Sequence, residues 1–90
     1  GAPVQAVAHG RVVFADWMRG FGNLIIIDHG GGYMSLYGQN ESLQKTPGDW
    51  VNTGDLIARS GASGGQNQAG LYFEIRHRGK PVNPALWCKG

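Results

Sequence analysis

Asn23-Leu24-Ile25-Ile26-Ile27-Asp28-His29-Gly30-Gly31-Gly32-Tyr33-Met34-Ser35-Leu36-Tyr37 contains two runs of opposite character around a break. Leu24 to Ile27 is a continuous aliphatic run with no polar face, the pattern of a strand buried on both sides. It is far too short to span a bilayer. Gly30-Gly31-Gly32 admits only a turn, and the β-forming run from Tyr33 to Tyr37 follows at once. The unit therefore reads as a β-hairpin.

The same grammar extends in both directions. Val4 to Ala8 alternates, and Gly10 turns the chain into Arg11-Val12-Val13-Phe14-Ala15, a second β-rich run. Asp16 to Gly22, with two glycines, reads as a loop. Downstream, Gly38 to Asp49 is polar and carries the turn pair Pro47-Gly48. Trp50-Val51, a turn at Asn52-Thr53-Gly54-Asp55, and Leu56 to Ser60 follow as strand, turn and strand. Gly61 to Gly70 is a glycine-rich loop. From Leu71 to Arg76 the alternation is clean: Leu71, Phe73 and Ile75 share one face, and Tyr72, Glu74 and Arg76 the other. Arg78-Gly79-Lys80 is a turn, and Pro81 to Trp87 closes the chain. No stretch has persuasive helical length. The fold class is all-β, an antiparallel β-sandwich or barrel-like sheet of about seven short strands, with a hairpin roofing a groove.

Ninety residues form a single domain, 1–90, with a modest core. Hydrophobic residues make up 41% and charged residues 16%, which excludes a disordered composition. The net charge of +2 is compatible with an acidic polymer, but no run of Lys and Arg offers a nucleic-acid stripe. Cys88, the single cysteine, excludes an internal disulfide and a cysteine zinc cluster. The chain reads as starting inside a domain, as the C-terminal part of a longer protein, which leaves room for a removed or upstream targeting segment.

The order of these pieces resembles the LytM-type domain of the M23 peptidase-like family. Ala2-Pro3-Val4 through His9-Gly10-Arg11-Val12-Val13 is similar to the family's opening "G-T-P-V-x-A-x-x-x-G-x-V". His29-Gly30-Gly31-Gly32-Tyr33 with Tyr37 resembles "H-G-x-G-Y-x-x-x-Y-x-H-L". Val51 to Ala58, with Ser60-Gly61 and Gly64, resembles "V-x-x-G-x-x-I-G-x-x-G-x-x-G". Leu71 to Arg76 and Val82-Asn83-Pro84 are similar to "H-L-H-F-E-I-R" and its trailing "V-N-P". Each motif is weak alone; together they cover nearly the whole chain in order. Ala15-Asp16-Trp17, Met34 to Gly38 and Leu71 to Arg76 draw the resemblance toward the murein hydrolase activators of the family. Val51 to Ala58 is also similar to the hairpin of biotinyl and lipoyl carrier domains, but Lys45, Lys80 and Lys89 lack the turn context those need.

An active member of the family uses zinc to polarise a peptide carbonyl and acidify its attacking water. The resemblance implies ligands from an "H-x-x-x-D" segment, which would precede Gly1, and from the second His of "H-x-H". The first His of that pair and the His of "Y-x-H" assist as base and oxyanion stabiliser. At these positions the chain has Gly70 and Tyr72 for "H-x-H", and Gln39 for "Y-x-H". Glycine offers no ligand, and a neutral phenol is a poor one beside imidazole. The expectation is a degenerate site with no metal, no cofactor and no catalytic residue. His9, His29 and His77 read as turn or surface residues rather than ligands. Ser63 has no nucleophile elbow or assignable base.

The vacated groove then becomes a candidate binding surface, lined by Tyr72, Arg76, Phe21, Leu24, Tyr37 and Gln39. Arg76 is suited to a partner carboxylate, although an internal Glu74–Arg76 contact is the plainer alternative. Phe21 beside its glycines suits a hot spot. Trp17, Trp50 and Trp87 read as packing residues more than as a sugar-stacking platform. What the resemblance implies is a non-catalytic domain that binds and activates periplasmic N-acetylmuramoyl-L-alanine amidases for septal peptidoglycan splitting, in the Gram-negative envelope. A preceding coiled coil would couple it to a division-associated membrane complex. Two alternatives are a murein-binding module, in which the groove holds peptidoglycan, and an active zinc endopeptidase.

Overall fold

The computed structural model describes residues 1–61 and 71–82. Most of the expected loop from Gly61 to Gly70 and of the segment closing at Trp87 lies outside them, including Ser63, Gly70, Trp87, Cys88 and Lys89. Among the described residues there are eight strands and no helix: β1 (Pro3–Gln5), β2 (Gly10–Met18), β3 (Gly22–Gly30), β4 (Tyr33–Leu43), β5 (Trp50–Val51), β6 (Leu56–Ser60), β7 (Tyr72–His77) and β8 (Lys80–Val82). They form one antiparallel sheet in the order β1-β6-β4-β3-β2-β5, with β7 paired to β4 and β8 paired to β7. The sheet curls into the barrel-like shape expected. Ala6 N–H donates to Asp55 O at 3.0 Å and Gly54 N–H to Ala6 O at 2.9 Å, fastening the first strand to the turn between β5 and β6.

The expected hairpin is present as β3 and β4. Its turn works because Gly30, Gly31 and Gly32 all have positive φ (87°, 62° and 84°), a run that side-chain-bearing residues do not sustain. Asp28 accepts from Gly30 N–H at 2.9 Å and begins the reversal.

Two boundaries differ from the sequence reading. The segment Asp16 to Gly22 is not all loop: β2 continues through Met18, with Asp16, Trp17 and Met18 paired to Leu24, Asn23 and Gly22. Cross-strand pairing decides these residues, whose side chains lie largely in solvent and carry no alternation. Likewise β4 does not stop at Tyr37 but runs on to Leu43. Between Tyr37 and Asn40 it carries two residues, Gly38 and Gln39, against Leu24 alone on β3, a β-bulge. Gln39 takes φ 61°, rare for a side-chain-bearing residue. Before the bulge β4 pairs with β7, from Tyr33 to Gly38; after it, Asn40 to Leu43 pair with β6. One long strand thus serves two partners on the same edge.

The interior of the curl holds Val4, Ala6, Val12, Ile25, Ile27, Tyr37, Val51, Ile57 and Ala58. Each larger aliphatic side chain there contributes about 1.5–3 kcal/mol of burial. The Tyr37 hydroxyl among them is satisfied. Tyr37 Oη accepts from Val7 N–H at 3.2 Å and lies 2.7 Å from Ser35 Oγ. Ser35 Oγ is 2.7 Å from His29 Nε2, and His29 Nδ1 donates to His9 O at 2.8 Å. His29 is therefore a tie between the hairpin and the approach to β2. His77 stacks on Tyr33 at 4.0 Å, closing the same end of the hairpin.

Gly10 marks where β2 crosses closest to β3. A Cβ at this position would stand 2.6 Å from both Asp28 O and Ile27 Cγ2. Backbone and a buried side chain cannot withdraw at little cost, so Gly10→Ala is expected to destabilise the fold by about 1–3 kcal/mol. Urea unfolding checks this, with Val13→Ala, at a largely exposed position, expected to change little.

Candidate functional site

Register places the alternation of β7 in three dimensions. Tyr72, Glu74 and Arg76 stand directly opposite Gly38, Leu36 and Met34 of β4, on the face of the sheet away from the core. Phe73 and Ile75 point to the other side, where Ile75 is buried and Phe73 packs against Tyr37 at 5.4 Å between ring centroids. Leu36 is itself opposite Ile26 of β3, so the outer face has an aliphatic floor beside the polar side chains of β7.

Those three side chains form one network. Tyr72 Oη donates to Glu74 Oε1 at 2.7 Å, and Arg76 Nη2 donates to the same oxygen at 3.1 Å. Arg76 Nε lies 3.0 Å from Glu74 Oε2. Arg76 therefore holds the carboxylate by one charge-assisted hydrogen bond, from Nη2, and one close charge contact at Nε, which does not reach hydrogen-bond geometry. Glu74 lies at the bottom, its side chain 13% exposed, whereas the Arg76 side chain is 37% exposed. Arg76 holds the Glu74 carboxyl below the usual carboxylate range, against the opposing effect of burial. The hydrogen bond to Glu74 in turn pushes the Tyr72 phenol above its usual range, so it stays a protonated donor.

The ring of Tyr72 has room because Gly38 faces it: a Cβ there would be 3.4 Å from Tyr72 Cβ and Cδ2 and 3.0 Å from Phe21 O. Phe21, in the turn between β2 and β3, meets the same ring edge-on at 5.2 Å. Gln39 N–H donates to Phe21 O at 2.7 Å, tying that turn to the bulge of β4. The structure thus brings together Phe21, Gln39, Tyr72 and Arg76.

Two other candidates are corrected. Leu24 and Tyr37 are each only 1% exposed and offer nothing to a partner. Leu24 belongs to a run buried on both faces, and Tyr37 turns inward to the core because its neighbour Leu36 faces outward. The packing role expected of tryptophan also fails at two positions: Trp17 and Trp50 are 63% and 64% exposed. Glu74, weighed from the sequence only as a rival partner for Arg76, is the centre of the network. Its signal was the i, i+2 alternation from Tyr72 to Arg76. Gly38 could be found only from its place opposite Tyr72.

The sequence matches the model for peptidase family M23 over residues 1–84. The chain belongs to that family. It is 49% identical over 87 residues to the murein hydrolase activator EnvC of Escherichia coli, a match covering 97% of this chain and 21% of that protein. It is 44% identical over 85 residues to the murein hydrolase activator NlpD of the same species, covering 93% of the chain and 22% of that protein. The chain therefore spans about a fifth of the length of either relative. Its structure superposes on the catalytic domain of the antimicrobial peptidase lysostaphin from Staphylococcus simulans with a TM-score of 0.88, at 26% identity, over all of this chain and 72% of that one. The M23 architecture is thus shared between murein hydrolase activators and peptidases.

The residues on β7 do not fit the zinc ion that the M23 resemblance implies. The resemblance puts a ligating histidine at the position of Tyr72, whose hydroxyl proton is committed to Glu74, and Glu74 is closed by Arg76. A metal at this point would have to displace Arg76 and deprotonate a phenol already shifted the other way.

The network makes stability depend on pH with a defined sign. A carboxyl whose pKa is lowered on folding stabilises the fold above its unfolded value, about 4.3, and ceases to do so as the pH falls through its folded value. The stability of the native chain relative to Glu74→Gln should therefore be largest near neutral pH and shrink below about pH 4. Urea titrations of both proteins across that range measure it; a difference that grows on acidification would contradict the assignment. Gly38→Ala should weaken the Phe21–Tyr72 contact, read as a chemical-shift change at both rings by NMR.

Proposed function

We propose that this chain is a non-catalytic LytM-type domain that binds and activates a periplasmic N-acetylmuramoyl-L-alanine amidase during septal murein splitting. The observation that carries the reading is the Tyr72–Glu74–Arg76 network, built where the M23 resemblance places zinc chemistry. The names of its relatives, murein hydrolase activators and an outer membrane antigenic lipoprotein among them, support the class and the compartment. An activator of this kind needs a preorganised contact surface instead of a nucleophile. Glu74 supplies it by holding the Tyr72 ring and the Arg76 guanidinium upright and partly exposed, so little side-chain freedom remains to be lost on binding.

The chemistry of the face predicts its partner's side. Arg76 donates to Glu74 through Nη2 and keeps Nε buried, so the remaining donors of Nη1 and Nη2 suit a partner carboxylate or backbone carbonyl. Tyr72 and Phe21 offer an aromatic edge, and the partly exposed Ile26 an aliphatic patch. A segment presenting an acidic residue beside apolar ones would complement all three. Captured here, it would be withdrawn from wherever it blocks its own enzyme, which is how binding becomes activation.

Release of dye from labelled murein tests this, using the chain alone, a purified amidase alone, and the two mixed. The expected result is release only, or far more, in the mixture. Tyr72→Ala and Arg76→Ala, with unfolding midpoints near that of the native protein, should each weaken activation by about tenfold, the effect of losing a hot-spot side chain of more than 1 kcal/mol. Full activation by both folded variants would remove β7 from the interface. Release by the chain alone would show a peptidase instead.

A further inference from the structure

The outer face that carries Arg76 does not end at β4. Register continues it in a single row across the sheet: Arg76 is opposite Met34, Met34 opposite Asp28, Asp28 opposite Arg11, and Arg11 opposite Trp50. With strands about 4.8 Å apart, the far end of the row is about 19 Å from Arg76 measured along the curled sheet. At that end the indole of Trp50 is flanked by two residues of β2 and its approach. His9 stacks near-parallel on it at 5.6 Å and 20°, and the Arg11 guanidinium carbon lies 5.8 Å from the ring centroid. His9 is itself oriented by Asn52, whose Oδ1 is 3.0 Å from His9 Nδ1.

The surroundings of this cluster are concave and chemically mixed. A trough of about 350 Å³ is lined by Trp50, His9, Arg11, Asp28 and His29, and a neighbouring one of about 400 Å³ shares Arg11 and Asp28 and adds Pro47. Among the described residues, no carboxylate lies within ion-pair distance of Arg11. An indole that remains 64% exposed while its orientation is fixed by neighbours is not serving the core. An aromatic plane beside both donors (Arg11) and acceptors (Asp28) matches a pyranose ring. Sugar C–H groups stack on the indole, and hydroxyl or acetamido groups, which donate and accept, are met at the rim.

We propose that Trp50, Arg11 and His9 form a saccharide-binding platform, separate from the Tyr72–Arg76 site, that takes the N-acetylated glycan of murein. The choice of glycan rests on the functional reading above; the platform itself rests on the geometry. Arg11 adds a reason for that polymer, since it suits the carboxylates that murein carries beside its sugars. With the two sites at opposite ends of one face, the domain would hold an enzyme and its polymeric substrate at once.

Binding of a β-1,4-linked N-acetylglucosamine tetramer, followed by NMR titration, and co-sedimentation with purified murein sacculi test the proposal without any hydrolase present. Trp50→Ala and Arg11→Ala are expected to lose about tenfold or more in affinity for the tetramer. Trp50→Phe should keep most of it, and Trp17→Ala, an equally exposed indole elsewhere, should keep all of it. Tyr72→Ala should bind saccharide normally while failing in activation, which separates the two sites. The proposal is overturned if the native protein binds neither probe. It is overturned too if Trp17→Ala loses as much affinity as Trp50→Ala, or if Trp50→Ala lowers amidase activation while leaving saccharide affinity unchanged, since the platform would then be a protein contact.

Discussion

The bulge in β4 is the constraint on which the architecture hangs. Because Gly38 and Gln39 face only Leu24 on β3, the strand is offset midway, and its outer edge divides between β7 and β6. Gln39 occupies a left-handed conformation that is unfavourable for its side chain, and its neighbours hold it there. Its N–H is bound by Phe21 O and its carbonyl accepts from Gly61 N–H at 3.2 Å. Asn40 locks the bend from inside: its side-chain amide donates to Asn23 O at 3.0 Å and Tyr37 O at 2.8 Å, while Asn23 donates to Asn40 O at 3.0 Å. Strain at one residue is thus over-determined by hydrogen bonds from three segments. Without the offset, β6 could not close the barrel while β7 lies alongside the hairpin.

The bend also explains where the chemistry of the face accumulates. Tyr72 sits opposite Gly38, the last residue of β4 that pairs with β7, so its ring lies over the bulge and against Phe21. The resemblance to zinc enzymes places histidines at this spot, with a metal to hold them. Here the ion pair of Glu74 and Arg76 does the holding, a charge-assisted contact in which the largely buried Glu74 carboxylate bears a desolvation cost that the more exposed Arg76 offsets. Its worth lies less in stability than in orientation, because it keeps two long side chains in one geometry ready for contact.

Much of this was readable from the chain alone, and for a local reason. The aliphatic run from Leu24 to Ile27, the triple glycine after it and the alternation from Leu71 to Arg76 each encode their structure within a few residues, so the hairpin, β7 and its outward face came out as expected. The family motifs in their order carried the rest of the class. What failed did so where side chains were decided at a distance. Asp16 to Met18 looked like loop because Gly20 and Gly22 follow them, and Asn40 to Leu43 because their surroundings are polar, yet pairing with β3 and β6 makes them strand. Trp17 and Trp50 looked like core because they are large and apolar.

The sequence by itself therefore determined the all-β class and the membership of the M23 family, since these depend on residue identity, spacing and period. Only the tertiary structure decided which candidates reach solvent. Leu24 and Tyr37 are enclosed, and Tyr72 meets Phe21 of a turn fifty residues distant in sequence from β7. Only register placed Trp50, Arg11 and Asp28 in line with Arg76. Exposure and cross-strand neighbours are properties of which strands lie side by side, and no local pattern in a chain of short strands specifies that.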